Sequence, residues 1–385
     1  MNRGNRDGGG RGAGQGDSQD GSRGGVNLPA VRGHNEALLL GLLRGAGPGG
    51  LGRADLADRT GLTPQAVSKI TARLAAEGLV AEAGRSASTG GKPRTLLRLV
   101  PDARHAVGVH LDRDELTAVR VDLTGGVVAR RRGPLDFAAG PDAAVAAVLR
   151  AVVRVCDPGG AGAPLLGVGV AAPGPLDWRD GVPGRVTGFP EWEGFPLREA
   201  LAAALSGAPA GAGPSAGALA VVVDKDTNAG VAAAAGHEAG NCVYLHLGTG
   251  LGAGLRLDGS VFRGPRSLAG EFGHQVLELD GPPCRCGGRG CAEALCLAAL
   301  ERGDLAGAAR VLGEGAANVV ALLDVDRVLL GGRVVEAEPE VFVEGVRAVL
   351  ARRRIGGAPL VAVARAGVAE GAAELVLGPL FGRGV

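Results

Sequence analysis

The feature that most constrains the fold of this chain is a glycine-rich segment, residues 271–293, that contains three cysteines and a histidine. Cys284, Cys286 and Cys291 are close together, and nine residues separate His274 from the first of them. Three thiolates and one imidazole complete a tetrahedral zinc shell, and the glycines let the backbone bring the sulfurs together. Because four protein ligands leave no open position, the segment predicts a structural Zn²⁺. The alternative is a loop of reduced thiols.

Disulfide bonds are not expected, because they need an oxidising compartment. The N-terminus has no apolar signal segment followed by a cleavage site, and no run approaches the ~18 consecutive apolar residues of a membrane helix. We therefore expect a cytoplasmic protein that does not associate with a membrane. Cys156, Cys242 and Cys296 are interpreted as ordinary small buried residues.

Charge is divided unevenly along the chain, although the formal net charge of the whole is only +1. Residues 26–100 contain ten Lys and Arg against five acidic residues, whereas residues 101–385 contain 27 against 32. A basic head on an acidic body favours a polyanion-binding function for the head. Residues 1–25 contain ten glycines and only Met1 and Ala13 as apolar residues, which predicts a disordered tail.

Residues 53–80 have the pattern of two short helices separated by a tight turn at Gly61, after a longer helix predicted over residues 31–44. Thr63 is the expected N-cap of the second short helix, and Pro64 suits its first position. Its apolar face consists of Val67, Ile70 and Leu74. Its polar face consists of Gln65, Ser68, Lys69 and Arg73. An ordinary helical hairpin has the same pattern, so the helix pair alone does not distinguish a DNA-binding motif from such a hairpin.

Two strand patterns follow, Leu79-Val80 and residues 96–99, around the segment 84–94. A helix-turn-helix followed by such a hairpin is typical of a winged helix-turn-helix, whose second helix enters the major groove of DNA. The residues expected to contact bases or phosphates are Gln65, Ser68, Lys69 and Arg73 on the helix and Arg85, Lys92 and Arg94 in the wing.

From Val107 onward, short Val/Leu/Ala strands alternate with Ala-rich helices, which predicts an α/β body of two lobes with a cleft between them. The clearest patterns are a β-hairpin over 107–123, a helix over 141–156, and strands over 165–174, 218–224, 242–250 and 327–332.

Several stretches resemble the ROK family of repressors, open reading frames and sugar kinases. They are RGHNEALLLGLL (32–43), GVGVAAPGPLD (167–177), PEWEGFPL (190–197), KDTNAG (225–230), GTGLGAG (248–254), AGEFGH (269–274) and CRCGGRGCAE (284–293). The resemblance implies a winged helix-turn-helix domain over 26–100, followed over 101–385 by a two-lobed, actin-like ATPase body with ribonuclease H-like lobes. It also implies a sugar site between the lobes, with the structural zinc beside it.

The resemblance implies roles for four residues of this site. Glu271, His274 and Glu293 match positions that hydrogen-bond sugar hydroxyls, and Asp226 matches the catalytic base. His274 would also ligate zinc, which fixes its ring. Lys225 departs from the family, which has an asparagine there. We expect it to bind the sugar ligand if that ligand carries an anionic group, or else to pair with Asp224 or Asp226 and so disable the site.

A second departure concerns the phosphate loop. Family kinases have an Asp, an apolar residue, two Gly and Thr where this chain has His110-Leu111-Asp112-Arg113-Asp114. Backbone N–H groups cradle phosphate only where small residues allow close approach, and phosphoryl transfer depends on that positioning. Asp112 and Arg113 are bulky instead, so the chain is predicted to lack the ATP phosphate loop of the kinases. The retained glycine loop at 248–254 is weak evidence for nucleotide binding.

The sequence therefore predicts a sugar-responsive transcriptional regulator, acting as a repressor, with no catalytic residue. It would bind a double-stranded DNA operator as a homodimer or homotetramer, because symmetric half-sites require paired heads. Two alternatives stay open. One is an active, glucokinase-like, ATP-dependent sugar kinase with a DNA-binding head. The other is a constitutive DNA-binding protein with a vestigial pocket.

Overall fold

The computed structural model describes residues 28–85, 94–156, 163–206, 219–234, 240–353 and 359–383. These residues form an N-terminal head on a two-lobed body. The tail predicted to be disordered, residues 1–25, lies outside the described residues.

The head is a winged helix-turn-helix, as predicted. Its elements are α1 (Leu28–Ala46), β1 (Leu51–Gly52), α2 (Arg53–Thr60), α3 (Pro64–Ala76), β2 (Val80–Arg85) and β3 (Thr95–Leu99). Gly61 ends α2 in the left-handed region at φ +69°, where a side chain would be strained. The Thr63 hydroxyl accepts a hydrogen bond from the Ala66 N–H at 3.2 Å and caps α3. The short strand β1, which pairs with β3, was not predicted, because two residues carry no periodic pattern.

Lobe 1 contains β4 (His105–Leu111), β5 (Glu115–Asp122), β6 (Val127–Pro134), α4 (Pro141–Cys156), β7 (Leu165–Ala172), β8 (Leu176–Asp177), β9 (Val182–Pro183), α5 (Leu197–Ser206) and β10 (Ala220–Lys225). Helix α6 (Asp226–Ala234) leads to lobe 2. Lobe 2 contains β11 (Cys242–Leu247), β12 (Leu251–Leu257), β13 (Ser260–Val261), α7 (Ala292–Glu301), α8 (Leu305–Leu323), β14 (Arg327–Gly331), α9 (Arg333–Ala337), α10 (Pro339–Arg353) and β15 (Leu360–Val363). Helix α11 (Val368–Leu377) follows.

The two lobes have the same topology. Their five-stranded sheets have the orders β10-β7-β4-β5-β6 and β13-β12-β11-β14-β15. In each sheet the first three strands along the chain form an antiparallel meander, and the last two add in parallel. This ribonuclease H-like pattern, repeated twice, is the predicted actin-like body. Ligands of such sheets bind outside the carboxyl ends of the parallel strands.

Helix α11 returns from lobe 2 and packs on the sheet of lobe 1 and on α6. Glycines in the strands make this close approach possible. A Cβ at Gly108 would lie 1.9 Å from the Ala369 carbonyl oxygen, and one at Gly169 would lie 1.8 Å from that of Ala372. The glycines of the strand patterns are therefore packing positions for the C-terminal helix.

The head shares a hydrophobic core with the body. Leu39 and Leu43 of α1 belong to the same buried cluster as Leu377 and Phe381 at the C-terminal end of the chain. Apolar residues on both sides of a junction cannot separate without exposing that surface to water. The head is thus docked on lobe 1 and α11.

One helix in the described part of the chain, α8, is long and apolar enough to cross a membrane by length and composition. Half of this apolar stretch is buried inside the protein, and α8 contains Arg310 and Glu314. It packs against α7 and α10, and its buried residues belong to the core of lobe 2. Core helices of soluble proteins pass the same test.

Candidate effector pocket, metal cluster and DNA-binding face

The structure brings the five predicted ligand residues to one pocket between the lobes, lined by Lys225, Asp226, Glu271, His274 and Glu293 among others. Lys225 ends β10, and Asp226 begins α6. Glu271 precedes the short turn Phe272–His274, His274 ends it, and Glu293 lies in the first turn of α7. Residues from three separate parts of the chain therefore face one space, and their role in binding stays a prediction.

Two carboxylates of the pocket are held by backbone donors. Glu293 is buried, and its Oε2 accepts a hydrogen bond from the Leu251 N–H at 2.9 Å. Asp226 accepts from the Thr227 N–H at 2.6 Å. Burial raises the pKa of Asp226, while nearby His246 and Lys225 act in the opposite direction. A carboxylate with a raised pKa is a better proton acceptor, which suits the family's base position.

In the described part of the chain the Lys225 ammonium group pairs with neither Asp224 nor Asp226, so this one of the two alternatives for Lys225 is wrong. Its Nζ donates to the Ala269 carbonyl oxygen at 2.7 Å and lies 3.3 Å from Oε1 of Glu271. Successive side chains of a strand point to opposite faces, so Lys225 faces away from its neighbour on β10.

Asp224 has a different cation as its partner. Arg263 donates to it from Nε at 2.8 Å and from Nη2 at 2.6 Å, and both side chains are buried. Sequence reasoning missed this pair, because 39 residues separate its members.

The residues that replace the phosphate loop tie the two lobes together. Asp112, after β4, accepts from Thr249 Oγ1 at 2.8 Å and from Arg333 Nη2 at 2.8 Å. Asp114 accepts from Arg333 Nη1, also at 2.8 Å. Although burial acts to raise it, the hydrogen bond from Thr249 and the nearby cations hold the pKa of Asp112 below its ordinary value. A phosphate at this mouth would meet two ionised carboxylates.

Arg113 is a pocket residue that sequence reasoning treated only as bulk. It lines the pocket, and its guanidinium lies 5.7 Å from the centre of the Phe189 ring. Its Nη1 also lies 3.5 Å from the Thr249 carbonyl oxygen. The sequence feature that could have identified Arg113 as a pocket residue is a cation at a position where the family has glycine.

The four predicted metal ligands lie together in the structure. One donor atom each of His274, Cys284, Cys286 and Cys291 lies within 4.8 Å of the others. The sulfurs of Cys286 and Cys291 are 3.7 Å apart, and Nδ1 of His274 is 3.8 Å from the sulfur of Cys284. Tetrahedral bonds of about 2.3 Å separate two sulfurs by about 3.8 Å, so this cluster could hold a metal ion. All six cysteines are free thiols.

The predicted DNA-binding residues that fall in the described part of the chain are exposed. Gln65, Ser68 and Lys69 form an open polar face on α3, opposite the buried Val67 and Ile70. Arg73 is also exposed, but its guanidinium pairs with Glu36 of α1. Arg85 ends β2 and Arg94 precedes β3, and both are exposed. Lys92 lies outside the described residues.

Sequence comparison connects this geometry with a family. The sequence model of the ROK family matches residues 106–302, just over half of the chain. The chain belongs to the ROK family. A model of the MarR family matches residues 32–89, from α1 into the wing of this ROK protein.

Curated relatives of this ROK chain include repressors. The xylose repressor of Bacillus spizizenii is 26% identical over 269 residues, which are 67% of this chain and 64% of that protein. The regulator NagC of Escherichia coli K12 is 29% identical over 286 residues, 72% of this chain and 66% of NagC. The chain thus spans just under two thirds of the length of these relatives.

Solved structures share the fold. A ROK family transcriptional regulator, a homologue of the E. coli MLC protein, aligns over 91% of this chain and 97% of its own with a TM-score of 0.69 at 21% identity. A ROK family glucokinase from Streptomyces griseus aligns over 70% of this chain and 98% of its own with a TM-score of 0.58 at 24% identity. The first alignment extends over the head, whereas the kinase matches a shorter share of the chain.

Proposed function

We propose that this ROK chain is a sugar-responsive transcriptional repressor, located in the cytoplasm, that binds a double-stranded DNA operator through α3. The observation that carries the proposal is the exposed polar face of Gln65, Ser68 and Lys69 on a winged head that is docked on a sugar-kinase-like body. The xylose repressor and the regulator NagC, both similar to this chain, support it. Symmetric half-sites favour a homodimer or homotetramer.

Lys69 provides the test of this placement. Replacing Lys69 by Ala removes one phosphate contact, so affinity for every duplex should fall and the slope of log K against log salt should flatten by about 0.9. Gel shifts over a salt series measure both quantities. Arg310→Ala, which removes an exposed cation on α8 of lobe 2, is the matched control and should leave the slope unchanged. An unchanged slope and affinity for Lys69→Ala would contradict this orientation of the head.

The body is proposed to sense sugar without transferring phosphate. Asp112 and Asp114 bind Arg333 across the cleft, which supports this view because carboxylates repel the phosphates of ATP. Asp226 and the glycine-rich segment 248–254, which continues into β12, favour the kinase alternative. Coupled ADP release with a panel of hexoses separates the two. Turnover that Asp226→Asn abolishes would establish the kinase.

The metal cluster is proposed to hold a structural Zn²⁺. The donors are three sulfurs and one imidazole nitrogen, the set that Zn²⁺ prefers in closed sites. Because Nδ1 of His274 faces the sulfur of Cys284, its other ring nitrogen is left for the pocket. A metal bound at Nδ1 would fix the ring for a hydrogen bond with a sugar hydroxyl.

The effector is proposed to be a sugar or sugar derivative with an anionic group. Lys225 and Arg113 supply two cations to the pocket wall, and Lys225 is engaged by Glu271 rather than by Asp226. Calorimetry with neutral and phosphorylated sugars is the measurement. Tighter binding of the neutral sugar by wild type than by Lys225→Asn would contradict the proposal.

Helices α6 and α11 are the proposed path from the pocket to the head. Helix α6 begins at Asp226 in the pocket, and a Cβ at Gly371 of α11 would lie 1.8 Å from the Ala229 carbonyl oxygen of α6. Such close packing lets a shift of α6 displace α11, whose Glu374 pairs with Arg44 of the head. An effector that binds one lobe arrangement more tightly would then change the position of the head.

A further inference from the structure

We propose that a second ligand site lies at the junction of the head and the body, and that it binds a small phosphate-bearing anion. The site is a cavity of about 410 Å³, here named the junction cavity. Its volume lies within the usual range of small-molecule sites, about 300–1,000 Å³. No predicted sugar or DNA-binding residue lines it.

Three parts of the chain meet at the junction cavity. Its walls are Arg44 of α1, residues of β5 and β6 and of the turn between them, the end of α6, and the segment from Arg365 through α11 to Arg383. The cavity therefore touches the head, lobe 1 and the C-terminal helix at once. A molecule bound there would contact both sides of the junction.

The charged side chains of the walls are four arginines and two glutamates: Arg44, Arg130, Arg365, Arg383, Glu370 and Glu374. Guanidiniums therefore outnumber carboxylates among these wall residues. Such a wall favours an anion, and the planar fork of arginine matches the oxygens of a phosphate group. A single carboxylate contacts two of the guanidiniums.

That shared carboxylate is Glu374. It accepts from Arg44 Nη1 and Nη2 at 2.8 and 2.7 Å and from Arg383 Nη1 at 2.9 Å. Burial acts to lower the pKa of Arg383, whereas the charge of Glu374 acts in the opposite direction. Because a guanidinium stays protonated in proteins, Arg383 remains a cation at the cavity wall.

Arg365 is the cation that has no carboxylate partner among the residues that the structure describes. It is exposed, so it can adopt the orientation that a ligand requires. Arg130 pairs with Glu370, whose Oε2 is buried and accepts no hydrogen bond from any described residue. Arginine forks bind phosphate oxygens through paired N–H groups, and a phosphate O–H or ligand hydroxyl can donate to Glu370.

The junction cavity and the effector pocket are connected by one helix. Asp226 at the start of α6 lines the effector pocket, whereas Ala232 and Ala233 near its end line the junction cavity. An anion bound in the junction cavity would thus contact the other end of α6 and could change the position of this helix. That regulatory consequence rests on the proposed function, whereas the binding site itself does not.

The experiment is titration of the full chain with inorganic phosphate at constant ionic strength, followed by calorimetry and by the melting temperature. Phosphate lacks a sugar ring, so it probes the arginines alone. We expect saturable binding and a rise in melting temperature with wild type. Arg365→Glu should weaken phosphate binding by about tenfold or more, because it removes a charge-assisted donor and adds repulsion. Arg310→Glu makes the same change on α8 and should bind like wild type.

Three results would overturn the site: no saturable binding to wild type, equal weakening in Arg310→Glu, or loss of phosphate binding in Lys225→Asn, which would place the anion in the effector pocket. Arg365 is exposed, so its replacement should leave the fold intact, and the melting temperature without phosphate checks this. Operator binding is measured separately in phosphate-free buffer. Its absence, with phosphate binding retained, would refute the proposed function and leave the junction site standing.

Discussion

Replacing Glu374 by Gln tests whether a buried ion pair holds the head on the body. The carboxylate accepts from Arg44 at 2.7 and 2.8 Å and from Arg383 at 2.9 Å. The side chains of Glu374 and Arg44 are only 10% and 5% exposed. Glutamine has nearly the same shape, but it is neutral and its amide nitrogen donates hydrogen bonds. In Glu374→Gln the buried guanidinium of Arg44 therefore loses its counter-charge, and the partly buried Arg383 loses the same carboxylate.

The structure sets the size of the effect. Removing one partner of a buried pair costs about 3–5 kcal/mol, because the remaining charge stays buried without compensation. The matched control is Glu370→Gln, the same change one turn earlier on α11. Its partner Arg130 is 40% exposed. Exposed pairs contribute about 0–1 kcal/mol, so the two variants should differ by about 3 kcal/mol.

The assay must separate the head from the body. Trp178 and Trp192 both lie in lobe 1, so tryptophan fluorescence during urea unfolding follows the body. Hydrogen exchange of the α1 amides follows the head. We expect Glu374→Gln to accelerate exchange in α1 by about 100-fold, and Glu370→Gln by less than about fivefold. Equal exchange rates of the α1 amides in the two variants would refute the idea that the Arg44–Glu374 pair holds the head on the body. Adding Arg44→Met to Glu374→Gln should restore part of the protection, because apolar side chains replace buried pairs well.

Three further predictions concern the body. Cys286→Ser should lower the zinc content, the melting temperature and the sugar affinity together, whereas the control Cys156→Ser on α4 should lower none of them. Elemental analysis measures the zinc and calorimetry measures the other two quantities. Full zinc content in Cys286→Ser would count against the proposed ligand set. Burial, then the charge of His246, lowers the pKa of His110 from 6.5 to about 3. Between pH 3 and pH 6.5 the unfolded chain therefore binds more protons than the folded chain, so stability should fall as the pH drops below about 6.5. His110→Asn should make stability less dependent on pH. A urea midpoint that varies with pH in the same way in this variant as in wild type would contradict this prediction. Arg333→Ala should cost only about 0–1 kcal/mol, because Arg333 is 45% exposed. The variant should nevertheless widen the cleft between the lobes, because Arg333 no longer contacts Asp112 and Asp114 across it. Small-angle X-ray scattering that shows no larger radius of gyration would refute this role of Arg333.

Local patterns in the sequence were sufficient for much of the fold. Thr63 and Pro64 place the start of α3, and the helix over 141–156 lies where its periodicity predicts it. The predicted strands also lie close to their expected positions, except that residues 248–250 of the strand predicted over 242–250 form the turn between β11 and β12. The cysteine spacing likewise predicted a cluster that the structure assembles. These features depend on residues close together in the chain, so spacing alone carries the information.

Local sequence patterns did not predict which side chains pair with each other. Lys225 was expected either to bind an anionic ligand or to pair with an adjacent aspartate, but strand geometry turns it towards Glu271, 46 residues away. Arg333 meets Asp112 across 221 residues. Such pairs depend on how the two lobes close, which no short pattern encodes.

The sequence by itself determined the classes of structure and their order: a basic winged head, an α/β body, and a loop with the ligands of a metal. Caps, periodicity and ligand spacing are local properties, and they act before the chain folds on itself. Only the tertiary structure decided that α11 returns to dock the head, that Glu374 serves two arginines, and that a cationic cavity forms between them. The physical reason is that burial and charge compensation depend on distances in space, and these exist only once segments more than 300 residues apart are in contact.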